Sequence, residues 1–183
     1  MSMLVVIISG LTAGLVNDSV SGLKAMDSDV IAFADGTQTD SAFTRSVVGT
    51  AEVDAMAGID GVTEAAPLGL AIVNAHNQDG KAVDLTLFGV ESDSFLAPEG
   101  LPELGGKPEA GAPTATKHEV VVSSTLAEEG IAVGDSITID RLKIPLEVVG
   151  FTDEQRTFSH VDIAYLPIDV WQEGHAGARH GKR

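Results

Sequence analysis

Ser123 and Ser124 follow three valines and precede Thr-Leu-Ala-Glu-Glu, a strand, turn and helix setting in which hydrolases present a nucleophilic serine. The glycines that flank such a serine are absent here, and N-capping of a short helix accounts for both hydroxyls. The five histidines, His76, His118, His160, His175 and His180, contain no i, i+4 pair and no H-E-x-x-H run. Two of them, His175 and His180, share the closing stretch and would hold a metal only weakly. Carboxylates are numerous but scattered, without the D-x-D-x-D-G spacing of a calcium loop. No glycine-rich stretch leads through Lys-Ser/Thr into a helix, so no phosphate loop is present. With no cysteine, the chain has no disulfide, thiolate nucleophile or thiolate metal site. These residues assemble neither a catalytic set nor a metal site, and the chain reads as a non-enzyme without an intrinsic cofactor.

The whole composition narrows the class further. A chain of 183 residues forms one domain or two small ones, and 44% hydrophobic content excludes wholesale disorder. Aromatic residues make up only 4%, so the core must be built from Val, Ile, Leu and Ala. The formal charge of −16 excludes nucleic acid as a partner, because phosphate contacts need a basic surface. It also opposes docking flat on anionic headgroups.

The elements that must carry any site follow from periodicity. SDVIAFAD (28–35) reads as a strand, and GTQTDSAFTRS after it as a turn-rich stretch. A short helix begins at Thr50 as N-cap, buries Val53, Met56 and Ile59, and stops at Gly61. NQDG joins two strands as a hairpin, and Val83, Leu85 and Leu87 alternate with Asp84 and Thr86 on the second of them. Residues 92–118 carry four prolines among glycines and form a long loop. Val120–Val122 is a buried strand, followed by the capped helix that ends at Gly130. Ser136–Ile139 and Pro145–Phe151 pair as strands, and VDIAYLP is a last strand running into a helix at IDVWQE. The order is α+β, with mostly antiparallel pairing and short helices.

The first residues pose a separate question. From Met3 to Val16 there is no charged residue, a run of about 14 against the roughly 20 that cross a bilayer core. A secretory signal would want a basic start, which MSM lacks. A buried core helix and the outer half of a membrane-spanning helix both remain. The second is favoured by the lack of a cap before the run. It is favoured also by an apolar stripe through Leu11, Leu15, Val16, Val20, Leu23 and Met26 that passes Asn17-Asp18 unbroken. Gly10 and Gly14 form a G-x-x-x-G, which lets two such helices approach closely in a membrane.

The closing residues VVVSSTLAEEGIAVGDSITI, PLEVVGFTDE and VDIAYLPIDVW resemble the MacB-like extracytoplasmic core domain of FtsX-like ABC-transporter permeases. The opening LVVIISGLTAGLVNDSVSGLKAM, with AFADG, FTRSVV and GVTEAAPLG, resembles the DevC and HrtB branch of that family. The resemblance spans nearly the whole chain, least securely over 92–118. It implies the end of the first transmembrane helix and a stalk over 1–26, an extracytoplasmic domain over 27–172, and a juxtamembrane segment or tail over 173–183. It implies a cell-membrane location, with the domain on the extracytoplasmic side. The implied partners are a cytoplasmic ABC ATPase subunit, a second permease copy and the bilayer. HrtB-type permeases export haem, so haem is the implied cargo, at the boundary of membrane helix and stalk. Leu11, Leu15 and Val16 are then candidate ring contacts, Met26 and His76 candidate iron ligands, and Gly10 and Gly14 the helix-packing positions. Core packing is the plainer role for Met26 and the aliphatics, and an exposed hairpin position for His76. DevC-like transport of lipid, glycolipid or lipoprotein is the rival within transport. An FtsX-like signalling module that activates an extracellular partner is the rival of another class.

Overall fold

The structure is a computed structural model and describes residues 21–37, 46–98, 101, 118–141, 143–154 and 156–172. Seven strands lie among the described residues: β1 (Gly69–Asn77), β2 (Ala82–Val90), β3 (His118–Val122), β4 (Ser136–Ile139), β5 (Ile144–Phe151), β6 (Thr157–Phe158) and β7 (Val161–Pro167). Three short helices accompany them: α1 (Ser21–Lys24), α2 (Thr50–Ala57) and α3 (Thr125–Glu128). A further helical turn occupies 168–172. Among the described residues no helix is long and apolar enough to cross a membrane.

The strands run in the order β2-β1-β4-β5-β3-β7-β6, and β2 also pairs with β7. Six strands therefore close on themselves as a small barrel, with β6 as an appendage on β7. Closure removes the exposed edges that an open sheet of this size would carry. Most pairings are antiparallel, as expected from the local hairpins. Two are parallel, β2 with β7 and β3 with β5.

Period-2 alternation explains the interior. Val83, Leu85 and Leu87 of β2 meet Val120 and Val122 of β3, Ile137 and Ile139 of β4, Leu146 and Val148 of β5, and Ala164 and Leu166 of β7. Leu126 of α3 and Ile131 join the same cluster. The alternate residues Phe88, Val90, Val121, Ile163 and Tyr165 face outward into a second core with Met26, Leu96 and Leu101. Its aromatic centre is Phe88, edge-on to Tyr165 at 5.6 Å and to Phe158 at 6.1 Å between ring centroids. Helix α1 is tied to the appended hairpin: the Thr157 amide donates to Ser21 Oγ at 2.9 Å, and Gly22 lies directly against Ile163.

The NQDG hairpin forms as expected. The Asn77 side-chain oxygen accepts from the amides of Asp79 and Lys81, and Gly80 supplies a φ of 78°.

Three local expectations are corrected. Residues 28–35 form no strand: none of the described strands pairs with them, so they have no ladder. Helix α2 is capped at Gly49, whose amide donates to the Glu52 carboxylate at 3.0 Å, and it ends at Gly58 rather than Gly61. It also buries none of its residues: Val53 and Met56 are half-buried, and Ile59 beyond its end is 56% exposed. The Ser123 hydroxyl, expected to cap α3, accepts instead from the Arg156 amide at 3.0 Å, and Ser124 makes no side-chain cap bond.

Candidate functional site

Most of the exposed large apolar side chains among the described residues lie together. Of nine large hydrophobic side chains exposed among the described residues, seven (Val30, Ile31, Phe33, Val47, Val48, Ile59 and Val62) line one open groove. Such concentration is the mark of a binding surface, since singly scattered apolar residues are ordinary. The groove measures about 1310 Å³. The stretch 26–33, Val53 and Met56 of α2 and the 61–68 segment line it. Gly69 and Leu70 at the start of β1, with Ile168 and Trp171, line it as well.

Trp171 sits there because two glycines make room for it. Gly69 and Gly89 face one another across the β1–β2 ladder. A Cβ on Gly69 would lie 2.5 Å from the indole, and one on Gly89 would lie 2.6 Å from Trp171. The absent side chains are what let the aromatic plate cover the strand pair.

The charge on the groove has one sign. Asp27, Asp29 and Glu64 line it, and no described lining residue is Lys, Arg or His. Glu52, Asp54 and Asp60 are exposed on the neighbouring α2 segment.

The residues singled out in the sequence are placed as follows. Met26 is 6% exposed, borders the groove and packs into the outer core. His76 is near the opposite end of β1, roughly 23 Å along the strand from Gly69 at about 3.3 Å per residue. Its Nδ1 lies 2.5 Å from Asp140 Oδ1 in a partly exposed pair. Met26 and His76 of one chain therefore do not converge on one iron. Gly10, Leu11, Gly14, Leu15 and Val16 lie outside the described residues. Among the described residues no three His, Asp or Glu side chains come together as a metal-binding group.

Two polar sites, at the half-buried Asp162 and the buried Tyr165, are not among the groove's lining residues. Asp162 of β7 has its pKa raised by burial, an effect opposed by hydrogen bonds from Thr125 and Ser123 and reinforced by the charge of Glu129. Its Oδ1 is buried without a hydrogen-bond partner. The Tyr165 phenol is likewise raised by burial, with Arg156 donating to its oxygen at 3.4 Å.

Sequence reasoning missed the groove. Its signal is the apolar residues of 28–35 and 50–62, whose pattern alone reads as a strand and a buried helix face.

No family model matches the chain, and no curated protein matches it in sequence. Among solved structures it is similar to the extracellular domain of the noncanonic ABC-type transporter YknZ from Gram-positive bacteria. That likeness has 16% identity and a TM-score of 0.47, and covers 70% of this chain and 67% of that one. It is similar also to the periplasmic region of MacB from Actinobacillus actinomycetemcomitans, at 14% identity and a TM-score of 0.43. This second match covers 73% of the chain and 62% of the other, so the chain spans less than two thirds of that region.

Proposed function

We propose that the chain is the non-catalytic extracytoplasmic domain of an ABC-type exporter permease, placed between two membrane helices. The observation that carries this reading is the shared border of the incoming and outgoing chain. Residues 26–33 line the same groove as Ile168, Trp171 and Gln172. A domain inserted between two spans must receive and return the chain on one side, and this arrangement supports such a placement. The sequence resemblance adds the functional content. Residues 1–26 continue the first span into a stalk, 173–183 lead toward the second, and ATP is hydrolysed on a separate cytoplasmic subunit. A second permease copy completes the transporter, with Gly10 and Gly14 at the helix contact.

Haem is the cargo implied by the resemblance. Its place is the boundary of span and stalk, with Leu11, Leu15 and Val16 against the ring and Met26 as axial ligand. The separation of Met26 and His76 argues against their ligating one haem within a single chain.

The chain lacks cysteine, so single cysteines report location directly. In intact cells, Val133→Cys, at a position 61% exposed, should react with a membrane-impermeant maleimide, whereas Val6→Cys should not. Labelling of Val133→Cys only after lysis would overturn the placement.

A further inference from the structure

We infer that the groove holds an amphipathic helix with a basic polar face, supplied by a partner polypeptide. Four observations lead there.

The first is apolarity: most of the exposed large hydrophobic side chains among the described residues converge on this surface. The second is size. Small-molecule pockets span about 300–1,000 Å³ and enclose their ligand, whereas this groove is open and, at about 1310 Å³, larger. An open apolar trough is the geometry that accepts a helix through side chains at i, i+3, i+4 and i+7. The third is charge. Asp27, Asp29 and Glu64 line the trough with no described base to balance them, so the complementary occupant presents Lys or Arg beside its apolar stripe. The fourth excludes the obvious rival. A second copy of the chain, at −16, would bring carboxylates against carboxylates when seated through this face. The same argument disfavours anionic amphiphiles. The inference does not depend on the transporter reading, because it concerns the surface of the described body alone.

Trp171 is the single tryptophan of the chain and lines the groove, so its fluorescence reads occupancy. The full chain in physiological salt is titrated with three tryptophan-free synthetic peptides. One is an amphipathic Leu/Lys helix, one a Leu/Glu helix with the same apolar stripe, and one a Lys/Ser peptide of equal positive charge. The Leu/Lys helix should give a saturable shift of the Trp171 emission. The other two should bind at least about tenfold more weakly. Val30→Ser combined with Ile59→Ser removes exposed apolar contacts and should weaken the Leu/Lys helix about tenfold, with an unchanged melt. Asp29→Asn combined with Glu64→Gln, both on the surface, should reduce the discrimination between Lys and Glu helices.

The proposal fails if the Leu/Lys helix produces no saturable shift. It fails equally if the Lys/Ser peptide binds as well, which would reduce the effect to bulk attraction by an acidic protein. Equal binding of the Leu/Glu helix, or indifference to both double variants, overturns it too. None of these results bears on maleimide labelling at residue 133, so the two readings stand or fall separately.

Discussion

The seat of Trp171 and the half-buried Asp162 show how single positions set local geometry. At Gly89 a methyl group would stand 2.6 Å from the Cβ and Cγ of Trp171. Gly89→Ala should therefore destabilise by about 1–3 kcal/mol through overpacking. It should also move the tryptophan emission to the red as the indole is lifted from the strands, and an unchanged spectrum and melt would refute the seat. At Asp162 the expected effect is a pH dependence of known sign. Burial raises the carboxyl pKa in the folded chain, so that state holds the proton more tightly than the unfolded one. This contribution to stability therefore falls as pH rises from about 3.9, the ordinary aspartate value, through the raised value. Asp162→Asn abolishes the titration. The melting temperature of the variant relative to the parent should accordingly rise between about pH 3 and about pH 7. A relative gain by the parent over that interval would mean that the Ser123 and Thr125 hydroxyls, not burial, dominate.

At the scale of elements, the barrel strands and α2 should respond differently to truncation. Leu85 and Leu146 are fully buried inside the barrel, and Leu→Ala at either should destabilise by about 2–5 kcal/mol. Val53→Ser and Met56→Ser in α2, where no residue is buried, should each cost less than about 1 kcal/mol, measurable by denaturant melts. Comparable losses would place α2 in the core. This contrast also explains what was legible in the sequence. Alternation in AVDLTLFGV located β2 and its inward face, and Asp79-Gly80 located the hairpin, because both signals are local. The apolar residues of 28–35 and 50–62 carry equally clear patterns. A pattern states which side chains avoid water but not what will cover them, so Val30, Ile31 and Ile59 were read as strand and core when they line a groove. Closure of the barrel was equally illegible, since it depends on pairing between distant segments that leaves no local mark. Of the residues proposed for a site, Met26 borders the groove and packs into the outer core, whereas His76 lies near the far end of β1.

At the scale of the whole molecule, the haem reading predicts a difference between two preparations. In detergent, a chain retaining residues 1–26 should shift the haem absorption band, and one beginning at Asp27 should not. Gly10→Leu with Gly14→Leu should weaken the shift if paired helices build the site. Equal shifts in both preparations would move haem onto the described body, with His76 as the first residue to substitute. The parallel contact between β2 and β7 has a consequence for synthesis. Leu85 pairs with Asp162 and Val90 with Pro167, so the closing strand leaves the ribosome long after its partner. The β1–β2 hairpin can form early, yet one side of β2 then waits as an open template on which another nascent chain could add a strand. Distant pairing of this kind folds slowly, and the interval is when mispairing competes. Protection of the nascent chain should thus matter more for yield than the stability of the finished barrel, and slowing translation ahead of residue 161 should lengthen the vulnerable period.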